Sequence, residues 1–243
     1  MKIFGQTDKG KVRSSNQDAF ITGSFNDGAV FAVVCDGMGG ANGGNIASRL
    51  AVDYLSASLK AGYRENMSEN SLRNLLESSI YAANVRVFDK SRESKELHGM
   101  GTTVVAVIVI NNTTYIAHAG DSRAYILSNG TLNQITRDHS IVQSMIENGK
   151  ISPEEARVHP RKNVITRALG VEENILPEFT VCDFGANDTL LICTDGLTNY
   201  VDSNDVLQVL SDISLEDPTV KLVEIANNNG GGDNITAVVI KNN

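Results

Sequence analysis

The feature that most constrains this chain is a short construction that occurs twice, an apolar run ending in Asp-Gly. The first is Phe31-Ala32-Val33-Val34-Cys35-Asp36-Gly37, continuing into Met38-Gly39-Gly40; the second is Leu190-Leu191-Ile192-Cys193-Thr194-Asp195-Gly196. Each reads as a buried strand that delivers one carboxylate to its end. Taken alone, Asp-Gly after such a run is also a common hairpin turn, because Gly supplies the positive φ that other residues resist. Recurrence points further. Asp121 follows Tyr115-Ile116-Ala117-His118-Ala119-Gly120, and Asp233 sits between Gly230-Gly231-Gly232 and the apolar run Ile235 to Ile240. Aspartates at strand ends, each beside glycine, can converge.

Carboxylates brought together raise one another's pKa unless a cation neutralises them. The donors on offer are hard oxygens, from carboxylates and from peptide carbonyls that glycine leaves approachable, and no Cys or His cluster competes in the sequence. That set suits Mn²⁺ or Mg²⁺ rather than Zn²⁺. The formal charge of −8 carries no basic block, so a phosphate backbone gains little counterion-release affinity and nucleic acid is not an expected partner. Met1 to Gln6 offers no signal-peptide apolar region, and the longest apolar run, Val104 to Ile110, is too short to span a bilayer. The expectation is a cytoplasmic protein away from membranes. Cys35, Cys182 and Cys193 lie in apolar, strand-like segments, as small reduced core residues do.

The chain of 243 residues has no Pro/Gly/Ser-rich linker and reads as one domain, residues 1–243. Lys2 to Gly5 and Asp18 to Ile21 read as strands around a polar loop, Asp8 to Gln17. That loop holds Arg13, either a solvated surface charge or a guanidinium fork presented to a phosphate. Apolar residues at helical spacing predict helices over Asn45 to Leu59, with Gly62 as a stop, and over Ser71 to about Lys90. Gly101 onward turns to β texture: Thr102 to Ile110, Thr114 to Ala119 and Arg123 to Leu127, read as sequential hairpins of an antiparallel sheet. There Asp121 is either a turn residue capping local backbone or a carboxylate kept at the rim. Short helices are predicted over Ser140 to Asn148 and from Ser152, whose Ser-Pro-Glu-Glu is a capping-box start. The irregular stretch between Gly149 and Gly170 reads as a surface excursion. Strands return over 179–195, with Asn187-Asp188 as a hairpin turn. Ser203 or Asn204 caps a helix to about Leu210, Asp217-Pro218 starts another, and a strand closes the chain. Helices in pairs between blocks of strands call for sheets packed together with helices outside.

These residues together resemble the metal-dependent serine/threonine protein phosphatases of the phosphatase 2C family, in their short bacterial form. The likeness runs over essentially the whole chain in order: Arg13-Ser14-Ser15-Asn16-Gln17-Asp18, Val33 to Gly40, Gly101-Thr102-Thr103, Gly120-Asp121-Ser122-Arg123, Thr194-Asp195-Gly196 and Gly232-Asp233-Asn234. The resemblance implies an α+β fold, a four-layer αββα sandwich of two central, mainly antiparallel sheets flanked by pairs of helices. It implies two Mn²⁺ or Mg²⁺ ions, bridged by Asp36, with the Gly37 carbonyl on one and Asp195 and Asp233 on the other. Asp18 would act through water, Asp121 with Asp195 at a weaker third metal, and Arg13 on the substrate phosphate. A hydroxide bridging the two ions would attack phosphorus directly, and residues 143–170 would form a flap. The implied partners are phosphorylated proteins and a cognate Ser/Thr kinase, with the enzyme a monomer.

Two positions depart from the family's eukaryotic pattern. Met38 stands where a histidine is the proposed general acid, and methionine has no proton to give; Gln17 replaces an acidic residue. A flap group such as His159, or metal-held water, is then expected to protonate the leaving oxygen. Two other readings compete: an inactive, metal-dependent binding module of the same fold, and a phosphatase serving anti-sigma-factor partner switching. Intact Asp36, Asp195, Asp233 and Arg13 speak against the first, and the absence of sensor or membrane segments against the second.

Overall fold

The structure, a computed structural model, describes residues 1–242. Its strands form two antiparallel sheets. The first runs in the order β1 (Lys2–Asp8), β11 (Ile235–Lys241), β10 (Thr189–Cys193), β7 (Arg123–Ser128) and β8 (Thr131–Gln134). The second runs β2 (Asp18–Ser24), β3 (Val30–Met38), β5 (Val104–Ile110), β6 (Thr113–Ala119) and β9 (Glu178–Asp183), with the two-residue β4 (Gly101–Thr102) on the end of β3.

The continuous apolar runs follow from burial on both faces. Along β3, Val30, Ala32 and Val34 point at the other sheet, where they meet Ile126, Leu190, Ile192, Val238 and Ile240. The alternate residues Phe31, Val33 and Cys35 face α1 (Gly40–Gly62) and α2 (Glu69–Ser91), packing with Ala51, Leu55, Leu76 and Ile80. The first sheet repeats the arrangement: Leu191, Cys193 and Val239 turn outward onto α5 (Asp195–Thr198), α6 (Ser203–Ser211) and α7 (Pro218–Asn228). The result is the expected αββα sandwich. Each fully buried Leu or Val in it is worth roughly 1.5–3 kcal/mol of transfer free energy. The cysteines are free, with Cys35 and Cys193 buried, and burial pushes both thiols up, which keeps them unreactive.

Several local expectations are corrected. The strands at 113–119 and 123–128 are not one hairpin: β6 belongs to the second sheet and β7 to the first. The chain changes sheets at Gly120, whose φ of +117° is open to glycine, and a Cβ there would come within 2.6 Å of Thr103 Cγ2. Asn187-Asp188 is likewise no hairpin turn, since β9 pairs with β6 and β10 with β7 and β11. The strand expected from Thr102 breaks at Thr103, whose hydroxyl accepts the Asp36 amide hydrogen bond at 3.0 Å. Helix α1 begins at Gly40 rather than Asn45, and α6 is capped by Asp202, which accepts from the Asn204 and Asp205 amides at 2.9 Å. The short β8 and α5 carried too few periodic residues to be predicted. The excursion contains α3 (Ile141–Glu147) and α4 (Pro153–Val158), the latter with the expected capping box on Ser152 and Glu155. It is clasped at its base where Ser140 bridges Ile165. No helix among the described residues is long and apolar enough to cross a membrane.

Candidate active site

One edge of the sandwich gathers the strand-end aspartates. Register in the second sheet sets Asp18 opposite Asp36. Register in the first ends β10 beside β11, Cys193 opposite Ala237, so that Asp195, opening α5, and Asp233, just before β11, lie close together. Each sheet contributes a pair.

Their surroundings hold these groups in place. The Asp36 carbonyl accepts from the Thr103 amide and the Thr102 hydroxyl, each at 2.9 Å, and Thr103 Oγ1 lies 2.7 Å from Ser122 Oγ, next to Asp121. The Gly37 amide donates to the Gln17 carbonyl at 3.1 Å, and a Cβ on Gly37 would collide with the carbonyl oxygens of Gln17 and Gly44. Only glycine fits this approach. Asp18 is buried: its Oδ2 accepts from the hydroxyls of Thr236 at 2.7 Å and Thr194 at 2.9 Å, while its Oδ1, also buried, has no partner. Asp195 Oδ2 accepts from Asn199 Nδ2 at 3.0 Å. Arg13, half exposed, donates to Asp233 Oδ2 at 2.8 Å.

The electrostatics match an electron-rich cluster. Burial, opposed by the Thr236 and Thr194 hydroxyls and reinforced by Asp195 and Asp233, pushes the Asp18 carboxyl up to about 7. Burial, then Asp195 and Asp138, pushes Asp121 up to about 8 against the pull of Arg123. Asp36 is raised well above the carboxylate range by burial and then by Asp18, Asp195, Asp121 and Asp233, and Asp195 is raised by burial and Asp233. Repelling carboxylates, an unpartnered buried oxygen and a carbonyl in a glycine-only cradle fit hard divalent cations. A cleft of about 490 Å³ opens on Asp121 and Asp195 and runs between the excursion and α5–α6. Arg157 and Lys162 line it; His159 does not, but ends α4, its Nδ1 accepting from the Arg161 amide at 3.1 Å. Gln17 turns its carboxamide to the Gly40 carbonyl at 2.9 Å.

Sequence reasoning missed three supports of the site. Thr194 and Thr236 read as ordinary strand residues, and the signal available was a hydroxyl interrupting each apolar run. The third is a histidine pair. His118 and His139 are buried and stack with centroids 4.7 Å apart at 5°, and with Glu178 their ligand atoms lie within 4.8 Å of one another. Contrary to the expectation of no histidine cluster, this is one, yet parallel rings send their lone pairs along separate planes, and Arg167 approaches His139 Nε2 to 3.0 Å. The cluster is a fastening: His139 Nδ1 accepts from the Gly120 amide at 3.2 Å, its own amide donates to the Gly120 carbonyl at 2.9 Å, and its carbonyl accepts from the Thr166 amide at 2.7 Å. Burial and then His118 hold its imidazole down at about 4, hence neutral.

A two-sheet αββα sandwich with carboxylates gathered at the sheet edge defines a class of phosphoric ester hydrolases. The sequence profile of one family, Protein phosphatase 2C, matches residues 7–229. The chain belongs to that family and is a phosphatase. The serine/threonine phosphatase stp of Listeria welshimeri is 39% identical over 239 residues, 98% of this chain and 94% of its own. The S. agalactiae serine/threonine phosphatase superposes with a TM-score of 0.91 at 33% identity, covering 98% of both chains. The catalytic domain of the serine/threonine protein phosphatase PstP, in complex with two manganese ions, does so with a TM-score of 0.85 at 32% identity, covering 98% of this chain and 96% of its own.

Proposed function

We propose that this protein is a cytoplasmic, monomeric phosphatase that hydrolyses phosphoserine and phosphothreonine in proteins and opposes a Ser/Thr protein kinase. The reading takes residues 1–243 as one catalytic domain with 143–170 as its flap. The observation that carries it is the meeting of Asp18, Asp36, Asp195, Asp233 and Arg13 at one sheet edge, supported by phosphatase relatives that align over nearly the whole chain. Asp36, the Gly37 carbonyl, Asp195 and Asp233 would hold two Mn²⁺ or Mg²⁺ ions, Asp18 would act through water, and Asp121 with Asp195 would hold a weaker third. When bound, the two ions supply the nucleophile for direct attack on phosphorus and offset charge on the attacking and leaving oxygens.

The chain's own residues do the rest. Thr194 and Thr236 occupy one oxygen of Asp18 and leave the other without a protein partner, available to the water through which Asp18 would act. Arg13, already drawn to the cluster through Asp233, orients the phosphoryl group and offsets charge as it builds on the equatorial oxygens. Met38 has no proton to give and His159 is not among the residues lining the cleft at Asp121 and Asp195, so this reading assigns protonation of the leaving oxygen to water.

Hydrolysis of a phosphothreonine peptide with Mn²⁺, with Mg²⁺ and with EDTA tests the reading. Turnover is expected with either ion and not in EDTA, and Asp36→Asn is expected to lower kcat by on the order of 10³-fold or more. Turnover that survives EDTA, or an Asp36→Asn protein with wild-type kcat, would overturn it.

A further inference from the structure

Asn234 belongs to the Gly232-Asp233-Asn234 motif, yet nothing in the chemistry above uses its side chain. It is buried, at 5% exposure, and its carboxamide is fully engaged with one loop. Oδ1 accepts from the Gln17 amide at 2.8 Å, and Nδ2 donates to the carbonyls of Lys9 and Ser15, both at 2.9 Å. These three bonds straddle Arg13, one before it in the chain and two after. The Gln17 carbonyl in turn accepts from the Gly37 amide at 3.1 Å and from Ser48 Oγ at 2.6 Å, so the clamped loop end is also tied to the strand that carries Asp36. On its own backbone Asn234 donates to Asp233 Oδ1 at 2.8 Å.

We propose that Asn234 is the positioning residue for Arg13, its carboxamide closing the Lys9–Gln17 loop so that the guanidinium is held over the carboxylate cluster before substrate arrives. Arg13 sits on an exposed stretch, its side chain 51% accessible. A long side chain on a loose loop loses conformational freedom when it grips a phosphate, and a loop fixed in advance removes part of that cost. The carboxamide suits the task because one planar group offers an acceptor and two donors in fixed directions. Serine or threonine offers one donor, and aspartate none while ionised. The inference rests on Arg13 as the phosphate-binding residue.

The test is a double-mutant cycle of Asn234→Ala and Arg13→Ala, measured as kcat and KM on a phosphothreonine peptide at saturating Mn²⁺. Amide hydrogen exchange at Gln17 and calorimetric titration with Mn²⁺ accompany it. Asn234→Ala is expected to raise KM about tenfold with kcat lowered less than about threefold, in the manner of a displaced positioning group. Exchange at Gln17 is expected to quicken, with any fall in Mn²⁺ affinity smaller than the rise in KM, because the carboxamide bonds to the loop and to no carboxylate of the cluster. In the Arg13→Ala background the same substitution is expected to add less than about twofold, since both changes act through one group. Effects that multiply, an unchanged KM in Asn234→Ala, or a loss confined to Mn²⁺ affinity would each overturn the proposal while leaving Arg13 in its role. An Arg13→Ala protein with wild-type KM would remove the phosphate role of Arg13, and the proposal with it. If Asn234→Ala fails to fold, Asn234→Asp, which keeps the acceptor for Gln17 and loses both donors, takes its place in the same cycle, judged by KM, kcat and their coupling to Arg13→Ala alone.

Discussion

Asp18 divides its two oxygens between two jobs, one held by a pair of threonine hydroxyls and one without a protein partner. Gly37 is the complementary case, a residue whose whole contribution is the absence of a side chain between the Gln17 and Gly44 carbonyls. Gly37→Ala forces those backbones apart and displaces the peptide carbonyl assigned to the ions. Mn²⁺ affinity by calorimetry is expected to fall about 10–100-fold, the range seen when the supports of metal ligands are disturbed. Wild-type affinity in that variant would mean that the carbonyl is not a ligand. At this scale the sequence was most informative where a residue carries its own local signal. Asp36, Asp195 and Asp233 each stand beside glycine at the end or start of an apolar run, and Arg13 stands in a polar loop. Thr194 and Thr236 carry no such mark, because threonine in a strand is what β propensity alone would favour.

Elements were legible in proportion to their length and periodicity. The long α1 and α2 and the apolar β3, β5, β10 and β11 were foreseen, with errors at the ends. The choice of sheet was not, because Gly120 and Asn187 look locally like hairpin turns and the partner that decides the matter lies elsewhere in the chain. Nor were the fastenings from His139 to Gly120 and Thr166, since hydrogen bonds between the base of the excursion and the crossing involve residues separated in sequence. The crossing carries a prediction of its own. Gly120→Ala places a Cβ at φ +117° and against Thr103, which itself supports Asp36. It is expected to destabilise the protein by about 2–4 kcal/mol, through both strain and overpacking. Differential scanning calorimetry checks this, and a thermal midpoint within about 1 °C of wild type would show that the crossing tolerates a side chain.

For the molecule as a whole, the gathered carboxylates set opposing demands on stability. Asp18 and Asp121 rise from an ordinary value of 3.8 to about 7 and about 8 on folding without metal. Between those values the folded protein binds protons that the unfolded chain has released, so stability falls as pH rises across that window. In EDTA the thermal midpoint is expected to drop by on the order of 5 °C or more from pH 5.5 to pH 8. Saturating Mn²⁺, which favours the ionised cluster, is expected to raise the midpoint at pH 8 and flatten the trend. A metal-free midpoint that is level or rising over that range would contradict the arrangement. The division of the cluster between the two sheets has a further consequence, for a chain still being made. Asp18 and Asp36 are laid down early, Asp195 and Asp233 late, and Asp233 docks only when β11 has slotted between β1 and β10. On the proposed assignment, a polypeptide that has not yet made β11, or is cut short before it, lacks a docked Asp233 and so a working centre, and hydrolytic power switches on only once that strand is in place.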